Sequence, residues 1–267
     1  MSDEFMSRLL SIRDVLGPYY GSEDLSVLLY AIVRREKPSN VVELGTGLGV
    51  STAWIARALK ENNAGSILTV DDGSHFGPLS RSGRLGKVLS THPALAELAG
   101  SANDYEQFLN ALFAFCGVEE RVKRQPVRFN LIGRKTDEPR YRLTTDVPID
   151  MLFSDFNHSP QTIIAVLREF IPAMADTSSI FVDSASSHLP SYNLLEEFVV
   201  AFNRRELPQL LLDSLSVDEQ KKLGEFVSGH RFRLIHLYER RLRSQNSTAW
   251  IRIEPGLPGP PSGILMH

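Results

Sequence analysis

Val41-Val42-Glu43-Leu44-Gly45-Thr46-Gly47-Leu48-Gly49-Val50-Ser51-Thr52 is the stretch on which the reading of this chain turns. Two β-branched residues follow the turn signal Pro38-Ser39-Asn40, and an acid closes the short apolar run. Three glycines stand at alternate positions. Ser51-Thr52 then opens a segment with Trp54, Ile55, Ala58 and Leu59 at helical spacing. The pattern predicts a strand, a tight glycine turn and a helix N-terminus. Glycine lets a backbone approach a ligand closely, and the first turn of a helix offers unpaired N–H groups to a polar or anionic part of it. Gly45, Thr46, Gly47, Gly49 and Ser51 are therefore candidate cofactor contacts.

The details separate possible cofactors. A dinucleotide fingerprint needs glycine or alanine three residues after its second glycine, and Val50 stands there. The acid Glu43 at the strand end would repel a pyrophosphate, but it suits the cationic amino-acid end of S-adenosylmethionine. Acid-x-Gly-x-Gly-x-Gly resembles the first motif of the class I S-adenosylmethionine-dependent methyltransferases. A second buried strand, Ser66-Ile67-Leu68-Thr69-Val70, ends in Asp71-Asp72-Gly73. Asp71 falls close to the spacing at which a nucleotide fold sets an acid on the ribose hydroxyls, with Asp72 the alternative if the register differs by one.

Composition bounds the remainder. The chain has 267 residues, enough for one α/β domain with a sizeable core, and 42% hydrophobic with 23% charged residues is ordinary for a globular protein. A net charge of −3 favours no nucleic-acid partner. The single cysteine, Cys116, excludes an intrachain disulfide and a cysteine-rich metal site. No leader pattern or long apolar run appears, so the expectation is a cytoplasmic protein with no membrane partner.

Helices are expected over 4–16 and 25–33, forming an N-terminal helical cap within residues 1–38. Tyr19 and Tyr20 between them read as packing residues, and Gly21-Ser22-Glu23-Asp24 as a helix cap. Residues 74–100 are rich in glycine, serine and arginine with weak periodicity, which predicts a lid-like or substrate-shaping insertion. Its His75, Arg81 and Arg84 could touch an anionic substrate or the cofactor carboxylate, but read first as solvated loop residues. A helix over 104–115 is followed by an alternating strand at Val127–Gly133. Residues 190–228 read as mostly helical, and 231–238 and 248–253 as a terminal hairpin. Arg240, Arg241 and Arg243 form a solvated basic cluster, and 255–267 an extended Pro/Gly-rich tail.

Residues 147–159 carry the candidate chemistry. A buried strand ends in Ser154-Asp155-Phe156-Asn157-His158, a helix follows over about 161–175, and Ser179-Ile180-Phe181-Val182-Asp183-Ser184 is a further strand closing in an acid. Parallel strands joined by a helix often lie side by side, which would bring Asp155 and Asp183 together at the carboxyl edge where open α/β sheets bind ligands. Two such carboxylates could share a divalent cation such as Mg²⁺. An imidazole at His158 could accept a hydroxyl proton at neutral pH, with His188 the second candidate.

Asp155-x-x-His158 with Asp183-Ser184 resembles the corresponding pairs of small-molecule O-methyltransferases acting on catechol, caffeoyl-type and sugar hydroxyls. Ser184 stands where metal-binding members carry a second acid or an amide, and Arg134 where an acid often lies near the adenine. The resemblance spans roughly 25–255. It implies a Rossmann-like α/β methyltransferase fold: a mostly parallel seven-stranded sheet, helices on both faces and a C-terminal antiparallel hairpin, all in one domain. It implies S-adenosyl-L-methionine as cofactor with Asp155 among its contacts, Asp155 and His158 as catalytic residues, Asp155 and Asp183 as metal ligands, and a small-molecule acceptor, with a homodimer allowed. Two other functions stay open: an N-methyltransferase acting on a base or protein, and a non-catalytic homologue that only binds the cofactor. The Asn/Asp-Pro-Pro-Tyr/Phe tetrad of amino-directed nucleic-acid enzymes is absent, since 155–158 reads Asp-Phe-Asn-His.

Overall fold

A computed structural model of the chain describes residues 2–19, 23–128, 147–213, 215–239 and 247–256. Helix α1 (Ser2–Leu16) ends in a 3₁₀ turn at Gly17–Tyr19, and α2 (Glu23–Glu36) leads into β1 (Asn40–Leu44). Then come α3 (Val50–Glu61), β2 (Ser66–Val70), α4 (Phe76–Arg81), α5 (Arg84–Thr91) and a 3₁₀ segment at Pro93–Ser101. Helix α6 (Tyr105–Phe115) precedes β3 (Val122–Gln125). After β4 (Ile149–Ser154), α7 (Pro160–Phe170) and β5 (Met174–Asp183), the chain forms α8 (Leu189–Asn203), α9 (Gln209–Leu212) and α10 (Val217–Gly229). It closes with β6 (His230–Tyr238) and β7 (Ser247–Pro255).

The seven strands form one sheet in the order β3-β2-β1-β4-β5-β7-β6. The first five run parallel, and β7 is antiparallel to both β5 and β6. Side chains alternate across the pleat, so each central strand feeds two cores. Val41, Met151, Phe153 and Phe181 join helices α1–α6 on one face; Val42, Leu152, Ile180 and Val182 join α7, α8 and α10 on the other. This is the expected mostly parallel seven-stranded α/β sheet with a terminal antiparallel hairpin.

The structure differs from the sequence reading in three places. The third strand lies at Val122–Gln125, pairing with β2, rather than at 127–133; residues 129–133 lie outside the described residues. Strand β5 begins at Met174, five residues before the expected 179, because α7 ends at Phe170 and Pro172 follows in a single 3₁₀ turn. Residues 74–100 are largely helical. Phe76, Leu85, Leu89, Leu95 and Leu98 are buried in the first core, so the segment is packed into the fold, with Gly83 at φ +64° dividing its two helices. Weak overall periodicity hid helices of six and eight residues. The readings at Tyr20–Ser22, Arg134, Arg240–Arg243 and most of the tail also fall outside the described residues. No helix of the described residues is long and apolar enough to cross a membrane.

Candidate active site

The carboxyl ends of β1, β2, β4 and β5 open into a cavity of about 440 Å³. Gly45, Thr46, Gly47 and Ser51 line one part of it, together with Asp71 from the end of β2; Asp155, His158, Asp183 and His188 line another. Most of the residues singled out in the sequence therefore meet in one place.

The glycine loop is fixed by backbone bonds. Gly45 N donates to Val70 O at 2.9 Å, Gly49 N to Thr46 O at 2.8 Å, and Asp155 N to Leu44 O at 2.8 Å. Gly45 has φ +94°, and a Cβ there would lie 2.5 Å from the Asp155 carbonyl oxygen. Glycine is required at 45 because β4's exit loop crosses against it. Gly49 is glycine for a different reason: its Cβ would meet Leu109, Leu112 and Phe113 of α6, and Gly49 is not among the residues lining the cavity. Asp71 lies in the wall, where Oδ2 accepts from Gly47 N at 3.0 Å and Oδ1 from Gly73 N at 2.7 Å. Asp72 is exposed and lines no part of the cavity.

Glu43 does not face the cavity. The pleat that sends Val42 and Leu44 to the α7 side turns Glu43 toward α3, where it is fully buried. Ser51 Oγ donates to its Oε1 at 2.6 Å, Thr69 Oγ1 to Oε2 at 2.6 Å, and Thr52 Oγ1 also to Oε2. Thr69 spends its only hydroxyl proton on Glu43, so Thr46 is the donor in the 2.6 Å contact between the two threonines. Burial, opposed by those three hydroxyl donors, pushes the Glu43 carboxyl up to about 7. The residue ties the start of α3 to β1 and β2 underneath the loop.

On the other side, Asp155 directly follows β4 and Asp183 closes the neighbouring parallel strand β5, so the two carboxyl groups face the same edge of the sheet. Burial, followed by the charges of Asp183 and Glu43, raises the Asp155 carboxyl well above the usual range. Burial raises Asp183 too, although Ser184 Oγ donates to its Oδ2 at 2.8 Å and Thr248 Oγ1 to its Oδ1 at 3.3 Å. Among the described residues, no group of three or more His, Cys, Asp or Glu side chains is arranged to hold an ion. Mg²⁺ is usually held by one or two carboxylates with waters completing its octahedral set, and Asp155 and Asp183 are the two that would hold it here. No step below runs through a cation.

The nucleotide-like cofactor expected from the sequence is a different matter. Asp71 at the end of β2, the backbone of Gly45–Gly47 and the first turn of α3 all open on one cavity of the volume typical of cofactor sites. These residues fit such a group.

His158 is half-buried, and burial followed by the neighbouring His188 lowers its pKa. The two imidazoles meet edge to face, with centroids 5.5 Å apart. Several lining residues were not expected. Tyr19, read as packing, lines the cavity with the Arg84 guanidinium 5.6 Å over its ring. His75, read as solvated, is in the wall, as are Gly17, Phe156 and Asn157. Phe156 and Asn157 lie inside the Asp-x-x-His tetrad and were legible by position; His75 sits in a segment whose possible ligand contacts were the less favoured reading, and Tyr19 carried no local signal that could have marked it.

Comparison with known proteins adds the family. The fold is similar to that of the O-methyltransferase TomG from Streptomyces achromogenes, involved in tomaymycin synthesis and solved in complex with SAM: 17% identity, TM-score 0.50, covering 94% of this chain and 90% of that one. The O-methyltransferase from Bacillus cereus in complex with SAH matches at 15% identity and TM-score 0.47 over 95% of this chain and 91% of its own. No curated protein sequence matches the chain. A family model described as a methyltransferase domain matches residues 42–185, from the first strand to the end of the fifth. That match takes in more than half of the sequence, the glycine loop and all three carboxylates of the cavity, and the chain belongs to this methyltransferase family.

Proposed function

We propose that the protein transfers a methyl group from S-adenosylmethionine to a hydroxyl of a small molecule. The observation that carries this reading is that one cavity holds both a glycine-loop cradle with Asp71 and a cluster of proton-handling groups. Asp71 would accept the ribose hydroxyls, and the backbone of Gly45, Thr46 and Gly47 would border the bound cofactor. Asp155 would face its cationic end, a role that the sequence alone assigned to Glu43. Bound S-adenosylmethionine supplies an electrophilic methyl on sulfur. The chain's own task is to align the acceptor oxygen and remove its proton, and the imidazoles of His158 and His188 stand in the cavity for that purpose. Tyr19, His75 and the helical 74–101 segment would shape the acceptor end. TomG, an O-methyltransferase by description, shares the fold on which this reading is built.

The test has two arms. Calorimetry with S-adenosylhomocysteine should show binding by the wild type and a Kd raised roughly 10-fold or more, about 1.4 kcal/mol, in Gly47→Val. At φ +53° a branched side chain is strained and would stand between the loop and the ligand. Transfer of labelled methyl to a panel of phenols and sugars should then show product. Unchanged affinity in a folded Gly47→Val variant would sink the cofactor assignment, and binding without transfer would favour a module that only binds the cofactor.

A further inference from the structure

We propose that His188 is the residue that takes the proton from the acceptor hydroxyl, and that Ser191 holds it in the tautomer this requires. The inference rests on the hydroxyl-methylation reading and assigns a role within it. Ser191 is fully buried in the first turn of α8, and its Oγ donates to the carbonyl oxygen of His158 at 2.5 Å. A carbonyl only accepts, so the single hydroxyl proton of Ser191 is committed there. The same Oγ lies 2.8 Å from His188 Nδ1. In that contact Nδ1 must be the donor, and a neutral His188 therefore carries its proton on Nδ1 and leaves the Nε2 lone pair bare. His188 lines the cavity. An imidazole with one nitrogen locked as donor and the other open is arranged as a general base.

The loop that carries His188 is held firmly. Ser184 N donates to Ser247 O at 2.7 Å, Ser187 N to Ser247 Oγ at 2.7 Å, and Tyr238 OH to Ser186 O at 2.8 Å. These bonds tie the segment between β5 and α8 to the C-terminal hairpin. Competing proton acceptors in the cavity are less well prepared. Both carboxylate oxygens of Asp183 already accept, Oδ2 from Ser184 and Oδ1 from Thr248. Among the described residues no hydrogen bond fixes the ring of His158, so nothing sets which of its nitrogens is bare. Its edge-to-face contact makes it an orienting neighbour of His188. The other titratable groups that line the cavity are Asp71, from β2, with His75 and Tyr19.

In the reaction the O–H bond of the acceptor breaks, its proton passes to His188 Nε2, and the electron pair stays on oxygen. That oxygen forms the new bond to carbon as the carbon–sulfur bond of the sulfonium donor breaks, with its pair left on sulfur. The products are the methyl ether, the thioether and an imidazolium at His188, which returns its proton to solvent.

The first measurement needs no acceptor. Long-range ¹H–¹⁵N spectra of the full chain, recorded where the imidazoles are neutral, should show His188 protonated on Nδ1 and bare on Nε2. In Ser191→Ala that preference should be lost. A wild-type His188 protonated on Nε2 would overturn the proposal, whether or not the Ser191 variant folds. The second measurement is turnover on the same panel of phenols and sugars. His188→Gln should lower kcat by roughly 10²–10⁴-fold and remove the fall in rate at acid pH that protonation of a base produces. Binding of S-adenosylhomocysteine should stay at the wild-type level, which also reports a folded variant. His158→Gln should be slower than wild type yet keep the acid limb. An acid limb that survives in His188→Gln, or vanishes in His158→Gln, overturns the assignment while the methylation reading stands. Absence of product from every acceptor with the wild type overturns that reading and this inference with it.

Discussion

Glu43 shows how one side chain can be read correctly for its importance and differently for its position. The sequence marks it as the acid that closes β1, and the pleat decides that it points beneath the loop. Its carboxyl is held near 7 against an ordinary value of 4.5. Between those values the folded chain keeps a proton that the unfolded chain has lost, so the Glu43 contribution to stability is most favourable below about pH 4.5 and declines as pH rises through 7. The shift corresponds to a difference on the order of 3 kcal/mol. Asp155 and Asp183 are raised as well and act in the same direction, whereas the lowered His158 acts in the opposite one. Comparison of Glu43→Gln with the wild type isolates the Glu43 share. Denaturation midpoints measured from about pH 5 to 8 should fall less steeply in the variant; parallel curves for the two proteins would show that Glu43 is ionised in the fold like any surface carboxylate.

At the scale of elements, helix α6 supports the glycine loop without touching the cavity. Asp104 caps it, its carboxylate accepting from Gln107 N at 2.8 Å, and Leu109, Leu112 and Phe113 close on the space where Gly49 lacks a Cβ. Removing the cap in Asp104→Ala should cost about 1 kcal/mol, read as a lowered midpoint in chemical denaturation. A variant as stable as the wild type would mean that tertiary packing alone holds the first turn. The span of α6 was legible in the sequence, because its apolar periodicity depends on neighbours three and four residues away. Helices α4 and α5 were not, since each is short and owes its order to burial of Phe76, Leu85 and Leu89 against elements distant in the chain. The third strand was misplaced for a related reason: Val122–Gln125 alternates weakly, and its pairing with β2 defines it.

For the whole molecule, the sheet divides the labour. Strands β1 and β2 carry the loop and Asp71, while β4 and β5 carry the acceptor-side groups, steadied by the hairpin through Ser247. Ser247 Oγ accepts from Ser187 N and donates to Ser187 Oγ at 2.9 Å. Ser247→Ala should therefore lower turnover while leaving S-adenosylhomocysteine affinity near the wild-type value, with a stability loss of about 1 kcal/mol. Equal losses in binding and turnover would show that the two halves of the cavity are not independent.

The sequence by itself determined the order of the central elements, the glycine loop, and the acids at the ends of β1, β2, β4 and β5. Each of these is written in local periodicity or in turn chemistry. Only the tertiary structure decided which of the acids face the cavity, because a strand's pleat and its neighbours set the direction of every side chain. It alone brought Tyr19 and His75 to the wall, and it alone bound His188 to Ser191 and through it to His158, 33 residues away from Ser191 along the chain. Proton placement in that group follows from which atoms can donate, and donors and acceptors so far apart meet only once the sheet is assembled.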